Sequence, residues 1–140
     1  MIQLIENDDL ISAANLALCN MKSYYHKYSV DWGVEVIVES TQNLENFDLC
    51  ADGVLVGIMR LTFEGGRCQL RDLQIKPEIQ SNGYGSKAIA EAKRIAMEKG
   101  LAAIDLKVFK CSPARNLYFR LGFTIDAEDD RFYYMSLDIS

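Results

Sequence analysis

The sequence predicts an α/β (α+β) domain with a mixed, mostly antiparallel central sheet flanked by helices. Three observations lead there. Between Asn46 and Ile75, three strand-like runs are joined by Ala51-Asp52-Gly53 and Glu64-Gly65-Gly66, and such Asp-Gly and Gly-Gly pairs supply the positive φ of tight hairpins. After them, an amphipathic helical stretch leads into a further strand, a crossover that makes two strands parallel neighbours. Ahead of them, apolar residues recur at helical spacing. Helices, antiparallel strands, then strand–helix–strand–helix is the order of a mixed sheet. A chain of 140 residues supports one sizeable core and is short for two, so residues 1–140 read as a single domain.

Taken in order, Gln3 to Glu6 alternates as a short first strand. Asp8 or Asp9 caps a helix carrying Leu10, Ile11, Ala14, Leu16, Ala17 and Leu18. Residues 21–44 carry the weakest signal. Val34 to Val38 has strand propensity, yet Val34, Ile37, Val38, Thr41 and Leu44 fit one helical face, and helix is the preferred reading. Strands follow at Asn46–Cys50, Val54–Phe63 and Cys68–Ile75. A helix from about Ser86 to Lys99 buries Ala88, Ile89, Ala92, Ile95 and Ala96 and stops at Gly100. Ala103–Phe109 is a strand. Ser112-Pro113 opens a short helix, serine as cap and proline in the first turn, with Ala114, Leu117, Tyr118 and Leu121 on one face. Phe123–Ala127 and Arg131–Leu137 close the chain around an acidic turn.

Composition narrows the function classes. A net charge of −5 argues against broad nucleic-acid binding. No apolar run approaches the roughly 20 residues of a membrane span, and the N-terminus lacks the pattern of a signal peptide, so no membrane role and a cytoplasmic location are expected. Four cysteines without C-x-x-C spacing and a single histidine, His26, suggest neither a zinc site nor a disulfide framework; no metal is expected. Basic residues gather behind residue 86 (Lys87, Lys93, Arg94, Lys107, Lys110, Arg115, Arg120), where some could attract an anion.

The organising stretch is Gln80-Ser81-Asn82-Gly83-Tyr84-Gly85-Ser86, between a strand and the strongest helix. Two glycines where loop becomes helix let N–H groups turn inward, and the free N–H groups of the first turn share direction with the positive end of the helix dipole. That suits a phosphate or pyrophosphate. The P-loop pattern fails, since Ala88 stands where a serine or threonine is needed. Gly83-Tyr84-Gly85-Ser86-Lys87-Ala88 does match the dinucleotide fingerprint, with Asp105 about 20 residues on as the ribose acid. That fingerprint must follow its strand at once, whereas seven residues separate Ile75 from Gly83. The third pattern, Q/R-x-x-G-x-G/A, is matched by Gln80 to Gly85 and resembles the acetyl-coenzyme A loop of the GNAT superfamily of N-acetyltransferases. Leu73-Gln74-Ile75-Lys76-Pro77 resembles the family's preceding strand. Ser112-Pro113-Ala114-Arg115-Asn116-Leu117-Tyr118-Phe119-Arg120-Leu121-Gly122-Phe123 resembles its N-P-A-R-x-L-Y-x-x-L-G-F segment, about 30 residues later. Ser112 replaces the usual asparagine, keeping the cap with a shorter reach.

The resemblance implies the acyl-coenzyme A N-acyltransferase fold and direct transfer of an acetyl group from acetyl-coenzyme A, as co-substrate, to a primary amine. It implies that Gln80, Ser81, Asn82, Gly83, Tyr84, Gly85 and Ser86 hold the pyrophosphate. Backbone of Leu73, Gln74 and Ile75 would pair with pantetheine or polarise the thioester carbonyl, and Ser112 and Asn116 would lie along the cofactor. Tyr118 matches the tyrosine that protonates the leaving thiolate, as a phenol with pKa of roughly 10 can at neutral pH. For the base, strand alternation sets Asp72 and Gln74 opposite Leu73 and Ile75. Asp72 would face the acceptor, or else form a structural pair with Arg71 or Arg60. Glu39, His26 and water are further candidates, and Cys111 reads as a small buried residue.

The acceptor is a small-molecule or peptide amine whose identity the residues leave open. Tyr24, Tyr25, Tyr28 and Trp32 read equally as an aromatic wall around a cation, as core, or as contacts of a homodimer. A non-catalytic coenzyme A-binding or interaction module on the same fold is the alternative.

Overall fold

The computed structural model describes residues 2–29 and 33–140. Its elements are β1 (Ile2–Glu6), α1 (Leu10–Lys27), α2 (Val34–Thr41), β2 (Glu45–Ala51), β3 (Val54–Glu64), β4 (Arg67–Ile75), a 3-10 turn (Pro77–Ile79), α3 (Tyr84–Glu98), β5 (Ala103–Phe109), α4 (Ala114–Arg120), β6 (Thr124–Glu128) and β7 (Phe132–Asp138). They form a seven-stranded sheet in the order β1-β2-β3-β4-β5-β7-β6. The β4–β5 pair is parallel, and the other neighbours are antiparallel. The mixed sheet expected from the sequence is present, including the parallel partner across the α3 crossover.

Local chemistry explains the element ends. Of the two aspartates that could cap α1, Asp9 does so: Ser12 donates its backbone N–H to Oδ1 (3.0 Å) and its hydroxyl to Oδ2 (2.8 Å). The helix then runs to Lys27, beyond the apolar pattern that announced it. Its last turns are held by aromatic packing, with Tyr24 and Tyr28 stacked on Phe109 at ring separations of 5.7 and 5.1 Å and Tyr25 edge-on at 6.2 Å. Trp32, grouped with them in the sequence reading, lies outside the described residues. Residues Val34–Thr41 are helical, with Ile37 buried, so the periodic face prevails over β-propensity. At Gly100, φ is +71° and Leu101 donates to the Ala96 carbonyl, a glycine-terminated helix end.

The two sheet faces have different partners. Ala88, Ile89, Ala92 and Ala96 of α3 pack with Met59, Leu61, Leu70 and Ile104 in one apolar core. Asn20 of α1 instead bonds the side chain of Gln74. Gln74 points opposite to Leu73 and Ile75, which join the α3 core, so α1 covers the other face. The β3–β4 register shifts between Arg60 and Leu61: Arg60 faces Asp72, Leu61 faces Leu70, and Arg71 is the extra residue of a bulge. Opposite Ile75 stands Gly57, where a Cβ would collide with the Gln74 carbonyl oxygen and lie 3.1 Å from Ile75 Cα. The strands approach there as only glycine allows.

The β6–β7 turn is built on one carboxylate. Asp129 accepts the backbone N–H groups of Arg131 (2.8 Å) and Phe132 (2.7 Å) on Oδ1 and the Tyr134 hydroxyl (2.7 Å) on Oδ2. The Tyr134 bond first, then the two backbone donors, lower its pKa from 3.8 to about 2. A carboxylate depressed by folding stabilises above its unfolded pKa and loses that contribution as pH falls through the folded value. The hairpin is therefore expected to hold at pH 4 and to loosen toward about pH 2. Amide chemical shifts of Arg131 and Phe132 followed through an acid titration check this; a midpoint near pH 4 would contradict it.

Candidate active site

Strands β4 and β5 are paired only at Cys68–Ile104 and Gln69–Asp105. Beside that joint, Arg67 grips Asp105 with a two-pronged ion pair, Nε to Oδ2 at 2.8 Å and Nη2 to Oδ1 at 2.7 Å. Asp105 thus serves the closed end of the strand pair, and the ribose role the dinucleotide pattern would give it is absent. Past the joint the strands run on unpaired to Ile75 and Phe109, and a cavity of about 670 Å³ occupies the gap. Its walls come from β4, β5, the loop before α3, and helices α1, α2 and α4.

At one end the loop opens the N-terminus of α3 onto the cavity. Ser81 and Gly83 take positive φ (+67° and +82°), and Gly83 caps α3 with no side-chain bond. None of the backbone N–H groups from Ser81 to Gly83 has a protein acceptor among the described residues, and the first N–H groups of any helix lack intrahelical partners. The helix begins at Tyr84, two residues ahead of the expected start. Gly83 is required by its left-handed backbone alone, since a Cβ there would meet no atom within 4 Å. A Cβ at Gly85 would stand 3.0 Å from Leu117 Cδ2 of α4, so that glycine also seats α4 against α3. Side chains brace the loop from below: Gln80 Nε2 donates to the Ile75 carbonyl (3.2 Å), and Asn82 Nδ2 to the Ile79 carbonyl (2.9 Å). Although the chain carries net charge −5, the described cavity wall holds Arg60, Arg71, Lys107, Arg120 and Arg131 against the single acid Asp72. That balance favours an anionic ligand.

At the other end lies a polar network. Asp72 accepts from Arg60 Nη1 on Oδ2 (2.7 Å) and from Gln74 Nε2 on Oδ1 (2.7 Å). Asn20 Nδ2 donates to Gln74 Oε1 (3.0 Å) and to the Ile75 carbonyl (2.9 Å). Of the pairings anticipated for Asp72, the structure selects Arg60; Arg71 is exposed. Burial raises the Asp72 pKa, and the Arg60 charge opposes that rise without cancelling it. Tyr118 is 8% exposed and edge-on to Phe123 at 5.7 Å. Burial first, then the Asp72 charge, raises its phenol well above the usual value. The same causes bring Tyr25 to about 12.

Most residues singled out in the sequence meet at this cavity: Asp72, Leu73, Gln74, Ile75, Gln80, Ser81, Gly83, Tyr84, Gly85, Ser86, Ser112 and Tyr118. Asn82 and Asn116 are not among its lining residues. Asn82 is occupied in shaping the loop, and Asn116 is exposed, off the helical face that carries Ala114, Leu117 and Tyr118. Ser112 Oγ accepts the Ala114 N–H at 3.2 Å, but α4 starts at Ala114 with Pro113 in the cap position, one residue later than the sequence suggested. His26 and Glu39 are exposed and outside the lining. Cys111 is exposed rather than buried, and its thiol meets the Tyr28 hydroxyl. Sequence reasoning missed the roles of Asn20, Gly57 and the Arg71 bulge. One signal existed: the step of three from Leu70 to Leu73 breaks strand alternation at the bulge. Among the described residues no cluster of His, Cys, Asp or Glu is arranged to hold a metal, and no helix is long and apolar enough to cross a membrane.

The model of the acetyltransferase (GNAT) family matches residues 11–123. A bovine (Bos taurus) thialysine N-epsilon-acetyltransferase is 36% identical over 62 residues, covering 44% of this chain and 36% of that protein. Mycothiol acetyltransferase of Clavibacter michiganensis is 34% identical over 83 residues, 59% of this chain and 27% of that protein. The matches therefore span about a third of these relatives' length. Among solved structures, the PaiA N-acetyltransferase of Thermoplasma acidophilum, in complex with coenzyme A, superposes with a TM-score of 0.72 at 24% identity over 99% of both chains. The ribosomal-protein-S18-alanine N-acetyltransferase of Escherichia coli gives 0.75 at 20% identity over 100% of this chain and 94% of that one. Both are likenesses of fold.

Proposed function

The chain belongs to the GNAT acetyltransferase family, and from that premise we propose that it moves the acetyl group of acetyl-coenzyme A directly to a primary amine. The observation that carries this reading is the gap between β4 and β5. From Leu73 to Ile75, β4 is paired with β3 on one edge and has no β5 partner on the other. That second edge is left to bond an extended chain such as pantetheine, the Ile75 carbonyl being already taken by Asn20 and Gln80. The open N-terminus of α3 stands at one end for the pyrophosphate, and Tyr118 looks in from α4. In the step itself, the nitrogen lone pair attacks the thioester carbonyl. The C–N bond forms, the C–S bond breaks, and the amine proton leaves to a base while the thiolate gains a proton. Backbone N–H on β4 would steady the oxyanion. Tyr118, held protonated by burial, would donate to the developing thiolate. Asp72, with its pKa raised, is the nearest candidate for the amine proton, though both its oxygens already accept hydrogen bonds.

Calorimetric titration tests the cofactor. Coenzyme A should bind to the wild-type protein, and NADH should not. Binding of NADH without coenzyme A would overturn the assignment.

A further inference from the structure

The acceptor end of the cavity contains a donor that the protein leaves unused. Arg60 lies at its edge, 1% exposed. Its Nε donates to Asn46 Oδ1 at 2.8 Å and its Nη1 to Asp72 Oδ2 at 2.7 Å. Nη2 is buried with no partner, one of two such side-chain atoms among the described residues. A buried charged donor left unmet is costly, and a guanidinium presents its N–H groups in a fixed planar fork. The natural complement is an oxygen that the chain itself does not provide. Asp72 sits beside it, so a cationic and an anionic group stand next to each other at the wall that Tyr25 and Asn20 complete. An α-amino acid or a peptide N-terminus offers the converse pair, an amine and an oxygen on adjoining carbons.

Building on the acetyl-transfer reading, we propose that the acceptor is an amine with a carbonyl or carboxylate oxygen on the neighbouring carbon, and that Arg60 Nη2 takes this oxygen. The amine then lies toward Asp72 and the acetyl-bearing end of the cleft. Arg60 becomes the specificity-determining residue: an amine with the oxygen gains a bond to Nη2, and one of similar size without it leaves Nη2 as unmet as in the free protein.

Alanine, alanine amide and isopropylamine, titrated into protein saturated with coenzyme A, decide the matter. The two oxygen-bearing amines should bind about 10- to 100-fold more tightly than isopropylamine, the range of a hydrogen bond to a charged group. Preference for alanine identifies a free amino acid, and preference for the amide a peptide N-terminus. Equal affinities overturn the inference, as does binding of none of the three while coenzyme A still binds. Failure of coenzyme A itself to bind would sink the acetyl-transfer reading and this inference with it. Arg60→Lys keeps the charge and removes the fork, so it should abolish the preference; a preference that survives it also overturns the inference. Should that variant fail to fold, the wild-type series decides alone.

Discussion

Tyr118→Phe should lower kcat by about 10- to 1000-fold, toward the lower range of general acid catalysis, with little change in coenzyme A affinity. The substitution keeps the ring that meets Phe123 and removes only the hydroxyl. Because burial and the Asp72 charge both disfavour the phenolate, the wild-type side chain stays protonated throughout the neutral range and, in the proposed role, would meet the thioester as a donor. The same shift makes it a weak acid, which suits hydrogen-bond donation to the leaving sulfur more than early proton loss. A tyrosine with a packing role alone would behave in the opposite way, with a lower melting temperature and near-normal turnover. Measuring kcat, coenzyme A affinity and melting temperature on the one variant separates the roles.

Gly57→Ala should destabilise the fold by about 3 kcal/mol, the upper part of the range for overpacking a site that cannot give way. The obstacle is backbone: the added methyl would meet the Gln74 carbonyl and Ile75 Cα across the β3–β4 pair. Relief requires the strands to part, which also displaces Gln74 and the Ile75 carbonyl that Asn20 and Gln80 hold. Urea denaturation should show the lower midpoint, and coenzyme A titration of the surviving folded protein should show weaker binding. An unchanged midpoint would mean that the strands are not pressed together at this place.

Of these two residues, the sequence singled out Tyr118 and not Gly57. The β2–β4 meander was readable because its turns need positive φ, and Asp52, Gly53, Gly65 and Gly66 all adopt it. The backbone of the loop before α3 was readable because glycine at Gly83 reports a left-handed conformation. Tyr118 was singled out through a motif. Gly57 was not, since a glycine inside a strand looks like weak propensity until the strand opposite it is known. Arg60 resembled an ordinary surface arginine between Met59 and Leu61. Its burial follows from Asn46 and Asp72, which approach it from two other strands. The last turns of α1 were obscured for a related reason, because Phe109, which holds them, lies more than 80 residues away. That β4 and β5 share only two residue pairs leaves no trace in side-chain pattern at all.

The line along which β4 and β5 separate is also a line in the chain. Strands β1 to β4 and helices α1 to α3 are complete by Glu98, and β5, α4, β6 and β7 all follow Gly100. One cut at the exposed Lys99-Gly100 turn would therefore divide the polypeptide where the cleft divides the sheet. The C-terminal fragment would be too small to keep a core by itself. It could fold only by docking onto the other piece, through the short β4–β5 joint and the Arg67–Asp105 clasp. A ligand lying in the cleft would touch both pieces, and reassembly of the split protein would then report its presence.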